Sequence, residues 1–344
     1  MPYTTITKHT DFFNTKLYTG TGSSNAITGV GHQPDFVWCK RRNSTSDHFL
    51  QNSVIGTNKA LFTNNNNAQF VGGVDGGTSV TAFGSDGFTV GTEGGINGNG
   101  DTFVSWNWKA NGYSTTTNND GATTSYISHN STAKFSIIKY TGTGSATNIG
   151  HGLGGTPDWF IVKALSSSDW HVWCNNFPSQ KRIKLNSQAG WNTNSSIFAS
   201  LPDATKIYFG SGGDVNGSGV DYICYAWKNV TGFSKAGVYT GNGNADGQFV
   251  YTGFKPAFIF YRNVSTSENW EIHDTVRNPS NLSNKIFYAN QNNLETTTDR
   301  IDILSNGFKP RTTNASCNGS GNEIIYLAFG QSLVGSNNTP VTAR

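Results

Sequence analysis

Any chemistry in this chain would have to come from its few carboxylates and histidines, and at one recurring place these stand beside an aromatic ring. Asp47-His48, Asp169-Trp170-His171 and Glu268-Asn-Trp270 each follow a short apolar run. A carboxylate next to an indole or imidazole suits a sugar, because it accepts hydrogen bonds from hydroxyls while the ring offers a stacking face. Asp47, His48, Asp169, Trp170, His171, Glu268 and Trp270 are therefore the candidate carbohydrate-binding residues. The competing interpretation is a turn carboxylate that caps backbone amides beside a core aromatic.

Hydrolysis finds less support. There is no Gly-x-Ser-x-Gly elbow and no His-Glu-x-x-His zinc helix. The chain has only five glutamates (Glu93, Glu268, Glu271, Glu295, Glu323), so a glycosidase-type acid and base would have to draw on aspartates in turns. Asp35 and Asp158 follow a proline, but the matching third position is Ala257; Asp101 likewise becomes Val220 and Asn322. These aspartates read as turn formers. Asp214-Val-Asn-Gly-Ser-Gly-Val-Asp221 is oxygen-rich like a calcium loop, yet it lacks EF-hand spacing and its acids do not recur. Cys39, Cys174, Cys224 and Cys317 sit at different places, three of them in apolar runs, which predicts buried free thiols rather than disulfides or a zinc site. No catalytic residue, metal ligand set or cofactor motif emerges.

The elements that position these residues come in three copies. Tyr18-Thr-Gly-Thr-Gly22, Tyr140-Thr-Gly-Thr-Gly144 and Tyr239-Thr-Gly-Asn-Gly243 open them. Pro34-Asp-Phe-Val-Trp-Cys-Lys40, Pro157-Asp-Trp-Phe-Ile-Val-Lys163 and Pro256-Ala-Phe-Ile-Phe-Tyr-Arg262 follow. Asn97-Gly-Asn-Gly100, Asn216-Gly-Ser-Gly219 and Asn318-Gly-Ser-Gly321 then lead into apolar runs ending near Trp108, Trp227 and Phe329. Subtracting positions, the opening Tyr precedes the Asn by 79, 76 and 79 residues, and the Asn precedes the final aromatic by 11 in every copy. Such a period marks homologous units: residues 13–109, 135–228 and 233–330, with a polar connector at 110–134 and a polar tail at 331–344. The connector is too poor in large apolar residues to form a core of its own, and its sequence fits either an ordered crossing loop or a flexible spacer. Residues 1–12 are polar and are expected to fray.

Short apolar runs separated by polar turns, 41 glycines and no long helical period predict an all-β chain. The expected architecture is three tandem antiparallel β-sandwich domains of jelly-roll or concanavalin-like type, with a linear string slightly favoured over a threefold ring. Charged residues are only 13% of the 344 and the formal net charge is +3, so a nucleic-acid partner is not expected. Lys40-Arg-Arg42 and Lys181-Arg182 read as solvated strand ends. No segment reaches the length of a membrane span, and Met1–Lys8 lacks the features of a secretory signal.

Phe13-Asn-Thr-Lys-Leu-Tyr-Thr-Gly-Thr-Gly22, Ile27-Thr-Gly-Val-Gly-His-Gln-Pro-Asp-Phe-Val-Trp38 and Gly232-Phe-Ser-Lys-Ala-Gly-Val-Tyr-Thr-Gly-Asn-Gly243 resemble a family of repeated domains from bacteriophage virion proteins, common in marine tailed phages. So do Gly150-His-Gly-Leu-Gly154 and Phe249-Val-Tyr-Thr-Gly-Phe-Lys-Pro-Ala257. Members are described as tail-fibre-like, lectin-like or of unknown function. The resemblance implies a non-enzymatic virion component assembled in the host cytoplasm, forming a homo-oligomer and binding other virion proteins. As a tail fibre or adhesin it would contact host-surface glycan. The alternatives are a head-decoration or tail-assembly subunit that binds only virion proteins, and a polysaccharide depolymerase. The resemblance supplies no catalytic residues.

Overall fold

Each repeat lays its strands down in one order. The opening strand (Phe13–Thr19, Phe135–Thr141, Ser234–Thr240) pairs with the closing strand (Thr102–Trp108, Asp221–Trp227, Glu323–Gln331). The closing strand pairs on its other side with the proline strand (Phe36–Arg41, Trp159–Ala164, Lys255–Asn263). A fourth strand (Phe49–Asn52, His171–Cys174, Glu271–Asp274) and a fifth (Lys59–Phe62, Lys181–Lys184, Ser283–Tyr288) complete this main sheet, and every pairing is antiparallel. The structure, a computed structural model, describes residues 4–333, so most of the expected polar tail lies outside the described residues. The described residues are all-β apart from a 3-10 turn near the start and one single-turn helix in each repeat.

A smaller antiparallel layer covers the outer face of each main sheet. It is built from Asn25–Thr28, Val80–Gly84 and Gly87–Val90 in repeat 1, and from Thr147–Gly150 and Lys206–Phe209 in repeat 2. In repeat 3 it is built from Val250–Tyr251, Thr296–Leu304 and Gly307–Pro310. Between the layers of repeat 1, Val37, Cys39 and Phe62 from the main sheet meet Ile27, Phe88 and Val90. Ile259, Tyr261 and Tyr326 meet Ile301, Ile303 and Phe308 likewise in repeat 3.

The recurring sequence signatures lock each repeat shut. The single-turn helices Gly94–Asn97, Gly213–Asn216 and Ala315–Asn318 end on the repeat asparagine, which is fully buried. Its side-chain oxygen accepts from the main-chain N–H of Thr21, Thr143 or Asn242 at 2.9, 2.8 and 3.0 Å. The tyrosine of the opening motif donates to the carbonyl one residue before that asparagine, at 2.8, 2.5 and 2.7 Å. The glycine two residues after the tyrosine is required by close approach. A Cβ on Gly20, Gly142 or Gly241 would stand 2.2, 2.3 or 2.2 Å from the carbonyl oxygen of Gly98, Gly217 or Gly319.

The inner faces of the three main sheets pack on one another. Register makes Trp108, Trp227 and Phe329 equivalent, since they lie opposite Phe36, Trp159 and Phe258. Their ring centroids form a triangle of 6.4, 5.5 and 6.5 Å sides around an approximate threefold axis. Phe36 contacts Tyr225, Trp38 contacts Phe260 and Trp159 contacts Trp270, so all three seams between repeats are aromatic. A void of about 10 Å³ on the axis, lined by Trp108, Trp227, Phe258 and Leu327 among others, is too small and apolar to hold ordered water. This closed ring replaces the expected linear string. The closing and proline strands read as continuous apolar runs because both their faces are buried, the outer one on its own second layer and the inner one on the neighbouring repeats.

The connector is ordered. Thr116–Asn118 and Ser125–Asn130 add two strands to the opening edge of repeat 2, the second pairing with Phe135–Thr141. Residues 4–12 do not fray either: Ile6 is buried in the shared core, and Gln331 hydrogen-bonds His9 and the Thr7 carbonyl.

Candidate functional site

Of the predicted sugar-binding residues, His48, Trp170 and Trp270 reach across the seams, Asp47 and Asp169 are held within their own repeats, His171 is bound inside repeat 2, and Glu268 is half-buried. Asn64 bridges Asp47 Oδ1 (2.6 Å) and the His48 N–H (2.8 Å). Asn186 does the same for Asp169 (2.8 Å) and the Trp170 N–H (3.0 Å), and Asn290 for Asn269 and the Trp270 N–H, both at 2.8 Å. The structural equivalent of Asp47 and Asp169 is thus Asn269, not Glu268. His48, Trp170, His171 and Trp270 are fully buried and offer no ring face to a sugar. Their recurrence instead reflects seam building. Trp170 Nε1 donates to the Phe62 carbonyl of repeat 1 (2.8 Å) and Trp270 Nε1 to the Lys184 carbonyl of repeat 2 (2.9 Å). His48 faces the main chain of Tyr288 in repeat 3 in a looser geometry. Phe62, Lys184 and Tyr288 are equivalent by register, so the three contacts run head to tail around the ring.

A second cyclic set lies nearer the axis. Asn52, Cys174 and Asp274 are equivalent, as are Trp106, Tyr225 and Leu327. Asn52 Nδ2 donates to the Tyr225 hydroxyl at 2.8 Å, and Trp106 Nε1 donates to Asp274 Oδ2 at 3.0 Å. In the remaining seam the corresponding residues, Cys174 and Leu327, are both apolar members of the shared core. Arg277, fully buried, lies 2.5 Å from Asp274 and 3.3 Å from Glu295, while Arg42 of repeat 1 clasps Glu295 through both carboxylate oxygens at 3.0 and 2.9 Å.

The basic groups expected in solvent are also partly consumed here. Lys40, Lys163 and Arg262 are equivalent and fully buried; Lys181 and Arg182 are nearly so. Lys40 Nζ reaches the Asn292 carbonyl of repeat 3 at 3.3 Å, and Arg262 reaches the Ser187 and Ala189 carbonyls of repeat 2 at 2.8 and 2.9 Å. Burial lowers the Lys40 ammonium to about 7 and that of Lys163 to about 8.

Several other carboxylates and histidines are engaged with protein partners. His171 lies between Asp214 (3.0 Å) and Arg182 (2.8 Å), and Ser168 donates to the other oxygen of Asp214. The hydrogen bond from His171 holds the Asp214 carboxyl well below the usual range, whereas burial keeps His171 below its own. Asp221 instead pairs with Lys139 and Thr141, so the two ends of the oxygen-rich loop face different partners. In repeat 3, Glu271 receives Tyr261 and Arg300, and the Tyr261 hydroxyl lies 3.2 Å from His273. The network is buried within the layer. Asp35 and Asp158 cap turns, accepting from the Ala110 and Asn229 N–H groups at 2.6 and 2.7 Å. All four cysteines are buried free thiols, and burial raises each of those at Cys39, Cys174 and Cys317 to about 12.

An opening beside the repeat 2–repeat 3 junction sets exposed rings next to amide side chains. It measures about 460 Å³ and is lined by the opening strand of repeat 3, by Phe249 and Tyr251, and by Asn175, Asn176 and Asn229. Phe249 and Tyr251 are 45% and 52% exposed, Val238 37%. Lys235 donates to the Tyr251 carbonyl at 2.7 Å and lies over its ring.

A family model described as Domain of unknown function (DUF7483) matches residues 8–332. The chain belongs to that family. Its unit spans all three repeats, in keeping with a ring that shares one core. No curated protein matches the chain.

Sequence reasoning missed Asn64, Asn186 and Asn290, whose repeat signal was available, each following its aspartate or asparagine by 17 or 21 residues. It also missed Asp274 and Arg277, since the other copies carry Asn52 and Cys174 at the Asp274 position and no carboxylate recurs there. Phe249 and Tyr251 were visible as alternating large residues flanking Val250 on a polar background, with Val250 buried and the other two outside.

Proposed function

We propose that this chain is a non-enzymatic structural protein of a bacteriophage particle that works by binding other virion proteins. One observation carries the reading: side chains that could do chemistry are spent on holding three repeats together as one closed body. Trp170, Trp270 and His48 span the seams, Lys40 reaches a carbonyl of repeat 3 and Arg42 pairs with Glu295, while Asp47 and Asp169 are bridged by asparagines of their own repeats. Such a body is rigid and presents polar turns and sheet edges outward, which suits a particle component. The sequence resemblance to phage virion repeats points the same way.

A second reading, a tail fibre or adhesin contacting host glycan, has its own support in the opening beside Phe249 and Tyr251, where exposed rings stand next to amide side chains. Locating the protein in a density map of the intact particle separates the two. A position among capsid or tail subunits supports the assembly reading. Projection from the tail, with glycan-array signal lost in Tyr251→Ala, supports the adhesin. Absence from purified particles overturns both. Release of reducing ends from host polysaccharide by the pure protein would restore the depolymerase.

A further inference from the structure

The repeat asparagines Asn97, Asn216 and Asn318 are each followed by a glycine, and that pairing is chemically labile. Once deprotonated, the glycine main-chain nitrogen attacks the asparagine Cγ, and with no side chain on the glycine nothing hinders the approach. The N–Cγ bond forms and the Cγ–Nδ2 bond breaks. The proton of the glycine N–H passes to hydroxide, and Nδ2 takes a proton from water and leaves as ammonia. Water then opens the cyclic imide to aspartate or isoaspartate. Water is the sole co-reactant.

The fold withholds all three pairs from this reaction. Each asparagine is fully buried, and its amide is clamped at both ends. Besides the bond that each side-chain oxygen accepts, Asn97 Nδ2 donates to the Ser23 and Gly91 carbonyls at 2.5 and 2.6 Å. Asn216 Nδ2 donates to the Ser145 and Gly210 carbonyls at 2.6 and 2.8 Å, and Asn318 Nδ2 to those of Asn244 and Thr312 at 2.6 and 2.9 Å. In repeats 1 and 2 the attacking nitrogen is tied as well, Gly98 to the Gly94 carbonyl at 3.1 Å and Gly217 to the Tyr222 hydroxyl at 2.7 Å. Turning Cγ onto the next nitrogen breaks these bonds, so the reaction proceeds only through opening of the repeat. The same clamp rejects the product. A carboxylate there has no N–H to give and sets its charge against two carbonyl oxygens in a buried site. Isoaspartate in addition lengthens the main chain by one carbon where it leads into the closing strand.

We infer that Asn97, Asn216 and Asn318 are deamidation sites that unfolding exposes, and that a chain which has reacted at one of them cannot refold. Native molecules do not age at these positions. A repeat that stays open long enough to react loses the clamp that shuts it. One event is enough, because the three repeats contribute to one shared core and none of them can be left out. Asn99–Gly100 offers the contrast: it lies two residues beyond Asn97, is exposed, and can convert without placing a charge in the interior. The inference goes beyond the proposed function and does not depend on it.

The test holds the purified full chain in mildly alkaline buffer with a thiol reductant, native in one sample and unfolded in guanidinium chloride in the other. Peptide mapping should show Asn216 converting to aspartate and isoaspartate in the unfolded sample, and more slowly by about 10³-fold or more in the native one. After dilution from denaturant, molecules converted at Asn97, Asn216 or Asn318 should be confined to the fraction that fails to refold, while converted Asn99 is spread equally over both fractions. Conversion in the native sample at the unfolded rate overturns the inference, and so do converted repeat asparagines in the refolded fraction. Asn216→Asp, made directly, should be recovered unfolded; a variant with the wild-type melting temperature overturns the inference too. Gly217→Ala is compared in guanidinium, where folding plays no part, and should leave Asn216 the last of the three to convert. An unslowed Asn216 would overturn the attack by the glycine nitrogen.

Discussion

Where repeat 3 meets repeat 1, Asp274 takes the Trp106 N–H and the Arg277 guanidinium, and Arg42 and Arg277 converge on Glu295. Where repeat 2 meets repeat 3, the matching position is Cys174, and an ion pair across that seam is the looser Lys181–Glu323 at 3.9 Å. The difference follows the covalent chain. Repeats 2 and 3 are tethered through Asn229–Gly232, so their faces are already close. Repeat 1 must find repeat 3 across the whole of repeat 2, and loop closure over that length opposes the contact. Close carboxylate–guanidinium pairs stand at the seam with the larger entropy to overcome, whereas at the tethered one the buried Arg262 reaches only main-chain carbonyls and the axial positions are apolar.

Five substitutions would break or sharpen that contrast. Trp227→Ala removes one corner of the axial triangle and should cost about 3–5 kcal/mol, read as a lower melting temperature with slowest-exchanging amides weakened in all three repeats. Phe88→Ala, in the outer layer of repeat 1, should cost about as much yet speed exchange in repeat 1 alone. Asp274→Ala leaves Arg277 buried beside one fewer carboxylate and should cost about 3–5 kcal/mol; Cys174→Ala at the equivalent place should cost about 1 kcal/mol. Equal losses at the two sites would remove the distinction between seams. Tyr225→Phe strands the Asn52 amide and should cost about 1–3 kcal/mol, measured by denaturant titration.

pH acts through groups whose titration is displaced by burial. Burial places His32 at about 4 and holds His48, His171 and His273 below the usual imidazole range. The unfolded chain therefore takes up protons below about pH 6.5 that the folded chain refuses, and stability should fall as pH drops from there toward 4. Lys40 works in the same sense at higher pH. Folded, it gives up its proton near 7, whereas unfolded it keeps it to about 10.4, so stability should rise with pH across that window. Lys40→Met should flatten this rise in melting temperature; an unchanged slope would mean that the ammonium stays charged at the seam.

The sequence made the repeat legible because its signatures are main-chain necessities. Asn97, Asn216 and Asn318 must reach two loops, and Gly20, Gly142 and Gly241 must admit a carbonyl, so substitution is not tolerated in any copy. The ring was harder to see. Its signal is the alternation of large and small residues in the closing strands, Trp106 and Trp108 against Ser105 and Asn107, or Tyr225 and Trp227 against Cys224 and Ala226, which marks two distinct buried faces. Recurrence misled the search for a site, because what three copies share is what packs them together. Trp170 and Trp270 recur for that reason, while the opening beside Tyr251 lies where, among the described residues, repeat 3 has no strand matching Ser125–Asn130.

The buried pairs around the axis also store the order of the repeats. Each repeat turns its Asn52, Cys174 or Asp274 position toward the next repeat's Tyr225, Leu327 or Trp106. Reversing the circular order would set the Asn52 amide against Leu327 and Cys174 against the Trp106 indole N–H, stranding both polar groups in the core. A repeat exchanged between two copies of the chain can therefore settle only in the place it came from, so the arrangement is addressed from within as well as by the covalent sequence.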